Sequence, residues 1–232
     1  MFFGLDFTSP LFWSAFGSIV LANIVLSGDN AVVIAMAART LKPEQQKKAI
    51  VWGSAAAIVM RIILTVAAIK LLTMPFLKVI GAIALVYIGV DLLNGEDDGG
   101  DGDGKQINSM FAAVRTILIA DLVMSLDNVL AVAAAAKGDV PLLVLGLLVS
   151  IPLIVFGATL LTKVMERFPI IITIGAALLG FLAGEMLLTD PAVTAQFGAQ
   201  SELTVEIAGV IGAVIVVGLG TWMKKRAEAA HG

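Results

Sequence analysis

"LANIVLSGDNAVVIAMAA" (residues 21–38) and "IADLVMSLDNVLAVAAAA" (residues 119–136) decide the fold. Set side by side without gaps, they agree at eight of 18 positions. The agreement includes polar positions: Ser27 with Ser125, Asp29 with Asp127 and Asn30 with Asn128, while Asn23 stands opposite Asp121. Each stretch therefore puts a carboxylate, an amide and a hydroxyl into surroundings that read as buried in hydrocarbon. An Asp at the bilayer centre costs about 2.5–3.5 kcal/mol on insertion scales. Two copies of so costly a pattern imply that the groups have a task.

Working outward, "IGAIALVYIGVD" (80–91) matches "IGAALLGFLAGE" (174–185). The apolar runs predict seven spans, at about 11–37, 48–72, 75–94, 109–136, 141–163, 168–188 and 204–223. Most reach the ~20 residues needed to cross hydrocarbon. Spans one to three and four to six are then two copies of one unit, with the seventh span extra. Three is odd, so the copies cross in opposite directions, the inverted-repeat plan of secondary transporters. The expected fold is an all-α integral membrane protein of seven transmembrane helices, forming a single domain over residues 1–232. Repeat one covers about 11–94, a flexible acidic linker 95–108, repeat two 109–188 and the seventh helix 204–223. The linker, "GEDDGGDGDGKQIN", lacks the aspartate spacing of a calcium-binding loop.

Composition agrees. The chain is 59% hydrophobic and only 14% charged, with a mean hydropathy of +1.00, far from the balance of a soluble domain. It has no cysteine, and its one histidine, His231, lies in the C-terminal tail. Thiolate and imidazole sites inside the membrane are thereby excluded, and with them metallo- and Ser-His intramembrane proteases. No span carries the Tyr-Asp and Gly-x-Gly-Asp pairs of the aspartyl type. A non-enzymatic role follows, with no organic cofactor and no nucleic-acid partner. The N-terminal "MFFGLDFTSP" lacks a basic signal region, so the first span is expected to be retained. Arg39, Lys42, Lys47, Lys48, Lys105, Arg115, Lys163, Arg167, Lys224, Lys225 and Arg226 fall on one side, against Lys70, Lys78 and Lys137 on the other. By the positive-inside rule the N-terminus is outside and the C-terminus cytoplasmic.

On a straight helix Asn23, Ser27 and Asn30 share one face and Asp29 stands aside; Asp121, Ser125, Asn128 and Asp127 repeat the arrangement. Local unwinding near Ser27-Gly28 and Ser125-Leu126 would gather both acids at one site and free carbonyls as ligands. The inventory is Asp29, Asp127, Asp121, Glu185, Asn23, Asn30 and Asn128. All are hard oxygen donors, suited to Mg²⁺, Ca²⁺ or Mn²⁺ and ill suited to Zn²⁺ or Cu⁺. Several carboxylates cannot stay ionised together without cations, which gives a route to proton coupling. Arg61, alone within span two, is a candidate counter-ion for Asp29 or Asp121.

These residues resemble a known family. "LSGDNAVVIA" and "SLDNVLAVAAAA" look like the paired Asp-Asn signatures of the TerC family, and "LAGEMLLTDPAV" is similar to its YjbE-type bacterial branch. The resemblance covers about residues 10–225. It implies a multi-pass exporter of divalent cations in the plasma (inner) membrane, chiefly of Mn²⁺ as the transported ion, with Ca²⁺ or Mg²⁺ as alternatives. It places the metal-binding acids on Asp29 and Asp127, flanked by Asn30 and Asn128, and a span-six glutamate at Glu185. Asp91 is a possible further oxygen donor, although relatives often have a basic residue near its position. The expected partners are a divalent ion and the lipid bilayer, and the fold is compatible with a homo-oligomer. Two rivals predict different behaviour: an exporter of a small organic solute such as an amino acid, as in LysE-type proteins, or a membrane scaffold that moves nothing.

Overall fold

The computed structural model describes residues 8–25, 28–94, 103–136 and 140–231. Among them the chain is all-α and has no strand. In order come α1 (Pro10–Val25), α2 (Gly28–Ala38), α3 (Pro43–Leu72), α4 (Leu77–Asn94), α5 (Asp103–Ala136), α6 (Val140–Arg167), α7 (Ile170–Leu188), α8 (Pro191–Phe197) and α9 (Glu202–His231). Proline opens α1, α3 and α8, at the one helical position where its fixed φ helps and its missing N–H costs nothing. Pro152 lies inside α6 and removes one backbone bond there.

Five of the described helices hold a segment long and apolar enough to cross a membrane: Pro43–Thr65, Leu77–Asn94, Val144–Arg167, Ile170–Leu188 and Glu202–Arg226. The expected first span is instead two shorter apolar helices, α1 and α2. α5, at 34 residues, has the length, but it carries Asp103, Lys105, Arg115, Asp121 and Asp127 and falls outside the five. It also starts earlier than expected, so the acidic linker does not run to residue 108. The segment 103–108 is helical, as an Asp at a helix's positive end favours. The rest of the linker, 95–102, lies outside the described residues.

Large apolar side chains, among them Ile83, Tyr87, Phe156, Ile174 and Val214, point outward. That is the reverse of a soluble protein and the normal state of a lipid-facing surface. Trp13, Trp52 and Trp222 are exposed; Trp13 and Trp222 lie toward the ends of their apolar segments, where amphipathic rings sit at the headgroup level. Small residues bring the helices together inside. Ile117 of α5 sits over Gly53 of α3, and Val123 of α5 and Met186 of α7 meet at Gly81 of α4. Gly180 and Gly184 of α7 lie against the backbone of Gly212 and Ala208 of α9, with no room for a Cβ.

These contacts also fix relative directions. Gly53 meets Ile117 and Arg61 meets Asp121, so α3 and α5 run parallel. Ile19 meets Gly146 and Ala31 lies beside Gly157, so α1 and α2 follow one path along α6, in its direction. α7 runs antiparallel to α9 and to α4.

One polar knot holds the ends of α4, α7 and α8. Asp190, fully buried, is the N-cap of α8 and accepts from Ala192 N at 2.7 Å. It also accepts from the backbone N–H of Phe76 (3.0 Å), Lys78 (3.0 Å) and Val79 (3.3 Å) at the start of α4. Burial pushes its carboxyl up, but the four N–H donors together hold it below the usual carboxylate range. Phe76 takes a positive φ of 64°, a strained state for a bulky residue, and its bond to Asp190 helps keep it there.

Candidate functional site

Three elements bring charge into the bundle. On α3, Arg61 is 2% exposed; on α5, Asp121 is 5% exposed and Ser125 fully buried. The Arg61 guanidinium donates to Asp121 Oδ1 at 2.6 Å through one terminal nitrogen and to Ser125 Oγ at 3.1 Å through Nε. Ser125 Oγ donates in turn to Asp121 Oδ2 at 3.3 Å, one helical turn back. Both carboxylate oxygens and the hydroxyl are thus engaged in one closed set. Breaking such a buried pair by removing one partner typically costs about 3–5 kcal/mol, because a charge is left stranded.

Asp29 comes from the third element. It is the second residue of α2, half-buried, and its Oδ1 accepts from Asn30 N at 2.8 Å. A carboxylate in a first turn offsets the positive end of the helix. Asp29 is also within electrostatic reach of both Arg61 and Asp121. The two sequence copies therefore each bring an acid within electrostatic reach of Arg61, and the ion pair itself forms with Asp121. Asn30, the residue after Asp29, is buried.

The other expected site residues fall as follows. Asn128 is half-buried on α5 and engaged with a neighbour. Glu185 is half-buried on α7, three residues before its end at Leu188. The contact of Val123 and Met186 at Gly81 puts its level close to that of the Asp121–Ser125 turn. Asp127 lies on α5 two residues beyond Ser125, and Asn23 on α1, but their side chains are outside the described residues. Among the described residues no group of three or more His, Cys, Asp or Glu side chains is placed to hold a metal ion.

The helix break expected in both copies is a correction in one of them. In the first copy α1 ends at Val25 and α2 begins at Gly28, with 26 and 27 outside the described residues. In the second, α5 runs unbroken through Ser125-Leu126. Leu126, a good helix former, replaces Gly28 there, and the Ser125 hydroxyl is satisfied by Asp121 and Arg61 without any unwinding. Asp190 is the polar residue that the sequence reading passed over. Its signal was present, since an Asp directly before a Pro that opens a short helix is an N-cap pattern.

Comparison with known proteins decides the relationship. The family model described as "Integral membrane protein TerC family" matches residues 8–228. The chain belongs to the TerC family. Among its TerC-like relatives, the uncharacterized membrane protein YjbE of Bacillus subtilis is 46% identical over 172 residues, covering 74% of this chain and 78% of the relative. A second uncharacterized membrane protein of that organism, YceF, is 28% identical over 187 residues, 77% of this chain and 72% of the relative. The inner membrane protein YoaE of Escherichia coli K12 is 27% identical over 183 residues, 71% of this chain but 35% of that longer relative. No solved structure matches the chain. As a TerC protein with five apolar helices of spanning length, it is a multi-pass integral membrane protein.

Proposed function

We propose that this TerC protein exports divalent cations, Mn²⁺ foremost, from the cytoplasm through a midplane site built from its two Asp-Asn segments. The observation that carries the reading is the convergence of acids from both segments, Asp29 and Asp121, on one interior region. Asp29 and Asp127 would be the principal carboxylate ligands, with Asn30, Asn128 and Asn23 supplying neutral oxygens and Asp121 and Glu185 completing the set as the ion passes. Hard oxygens of this kind favour Mn²⁺, Ca²⁺ and Mg²⁺ over softer metals.

The proposed architecture is seven crossings in one domain, with spans 1–3 and 4–6 as inverted copies. Packing supports it. α1 and α2 lie on α6 as α5 lies on α3, and α2 touches α7 as α5 touches α4, while α4 packs on α7. An exchange of the two copies maps each contact onto its partner. The parallel and antiparallel directions among the helices are those of an alternating path. The Lys/Arg bias then places the N-terminus outside and the C-terminus in the cytoplasm.

The test is Mn²⁺ accumulation in everted membrane vesicles. Wild-type protein is expected to load Mn²⁺, with Ca²⁺ and Mg²⁺ as competitors. Asp29→Asn and Asp127→Asn remove one charge each at nearly constant size and should both abolish loading while leaving expression near wild type. Wild-type vesicles that load no Mn²⁺ under a pH gradient or a membrane potential would overturn the proposal.

A further inference from the structure

We infer that Arg61 is the resident counter-cation of the cargo site: it holds Asp121 while the site is empty and gives it up when a divalent ion arrives. The inference rests on the proposed cation-export reading. It concerns how the site stays neutral between cargoes and why it can release them.

The starting point is an asymmetry between the copies. Register for register, Asp121 of the second copy stands where the first has Asn23. The second copy thus carries one acid more. Arg61 is the one basic residue in the middle of α3, and the corresponding stretch of α6, "VFGAT" (155–159), has none. One extra acid and one extra base have been added to the bundle, and they meet at 2.6 Å.

Helix packing alone does not call for this pair. An uncharged amide serves at the same register in the first copy, and a buried ion pair is often no better for stability than neutral groups of the same size. A mobile role does call for it. Asp29 is within electrostatic reach of Arg61 as well as of Asp121. A divalent ion binding at Asp29 therefore meets a fixed positive charge unless the guanidinium retreats. When it retreats, Asp121 Oδ1 is freed at the moment a cation is there to take it. Ser125, which bonds both Arg61 and Asp121, keeps the carboxylate aimed while its partner changes. Ion and guanidinium thus compete for one carboxylate, and the returning guanidinium helps expel the ion.

The experiment uses full-length protein in detergent, with MnCl2 as probe and two readouts: titrated Mn²⁺ affinity, and thermal stability with and without Mn²⁺. In Arg61→Met the competitor is gone. Its Mn²⁺ affinity should rise by at least about tenfold over wild type. Its metal-free stability should fall, and Mn²⁺ should restore it by a larger shift than Mn²⁺ gives wild type. Arg61→Lys keeps a cation and should stay near wild-type affinity. In Arg61→Met/Asp121→Asn, where both charges are absent, stability should return without metal and the affinity gain should vanish. An Arg61→Met protein that stays unstable in saturating Mn²⁺, or binds Mn²⁺ no more tightly than wild type, would show a purely structural ion pair and overturn the inference. If wild type itself binds no Mn²⁺, the export reading fails first; if wild type binds and the affinity of Arg61→Met is unchanged, only the exchange fails.

Discussion

Asp190 shows how much can hang on one carboxylate. Its two oxygens accept four backbone N–H groups from two helix starts. Asp190→Asn keeps one acceptor oxygen and loses the charge, so it should destabilise the protein by about 1–3 kcal/mol, seen as a lower midpoint in thermal unfolding. The pH dependence has a definite sign. The folded-state pKa is depressed below its ordinary value, so the stabilisation is complete above the unfolded-state pKa near 4 and is lost as pH falls through the folded one. Between pH 7 and about 5 the contribution of Asp190 should be flat. Below that, stability should decline more steeply in wild type than in Asp190→Asn. Parallel acid limbs would count against the assignment.

At the same scale, the sequence made some of these groups legible and hid others. The doubled Asp-Asn pattern located the charged interior, because polar residues in hydrocarbon are conspicuous against Ala, Val and Leu. Arg61 stood out for the same reason, although composition left its partner open between Asp29 and Asp121; the ion pair forms with Asp121. The N-cap pattern of Asp190 was legible, but its bonds to the distant segment 76–79 were not, because they form only when that segment folds back onto it.

Among elements, the glycines of α7 separate what composition suggests from what packing demands. Gly180 and Gly184 face the α9 backbone at Gly212 and Ala208, which cannot swing aside as a side chain can. Gly184→Val should force α9 off α7 and cost several kcal/mol, above the usual ~1–3 kcal/mol of overpacking against mobile side chains. Gly218, also in α9, has nothing near its missing Cβ. Gly218→Ala should be neutral or raise stability by about 0.5–1 kcal/mol through helix propensity. Paired thermal melts in one detergent check both; equal effects at the two glycines would refute the contact. No periodicity in the sequence distinguishes the two glycines, because which one meets a backbone depends on the rotation of α9 against α7. The bond between Ser125 of α5 and Arg61 was equally hidden, since the two are 64 residues apart in the chain.

For the whole molecule, the proposed crossing pattern makes a simple prediction. The chain contains no cysteine, so single cysteines report cleanly on sidedness. Ala199→Cys, at an exposed position between α8 and α9, should react with a membrane-impermeant maleimide in intact cells. Lys47→Cys, exposed near the start of α3, should react only after permeabilisation. The opposite pattern would invert the orientation, and labelling of both from outside would break the alternation. The long apolar segments of α3, α4, α6, α7 and α9 were readable from run lengths. The division of the first expected span into α1 and α2 was only partly so, since Gly28 marks a weak point without saying where each half ends.

The fit of α9 onto α7 has a consequence for the order in which the protein is made. Helix α7 leaves the ribosome before the helix that covers its glycines exists. For the time needed to synthesise about 30 residues, a few seconds at ordinary elongation rates, its small-residue face is open to lipid or to any other helix nearby. A chain stopped after residue 201 should insert normally yet be cleared quickly by membrane proteases. Supplying residues 202–232 as a separate peptide in the same cell should lengthen its half-life in a pulse-chase measurement, and should fail to do so when the truncated chain carries Gly184→Val.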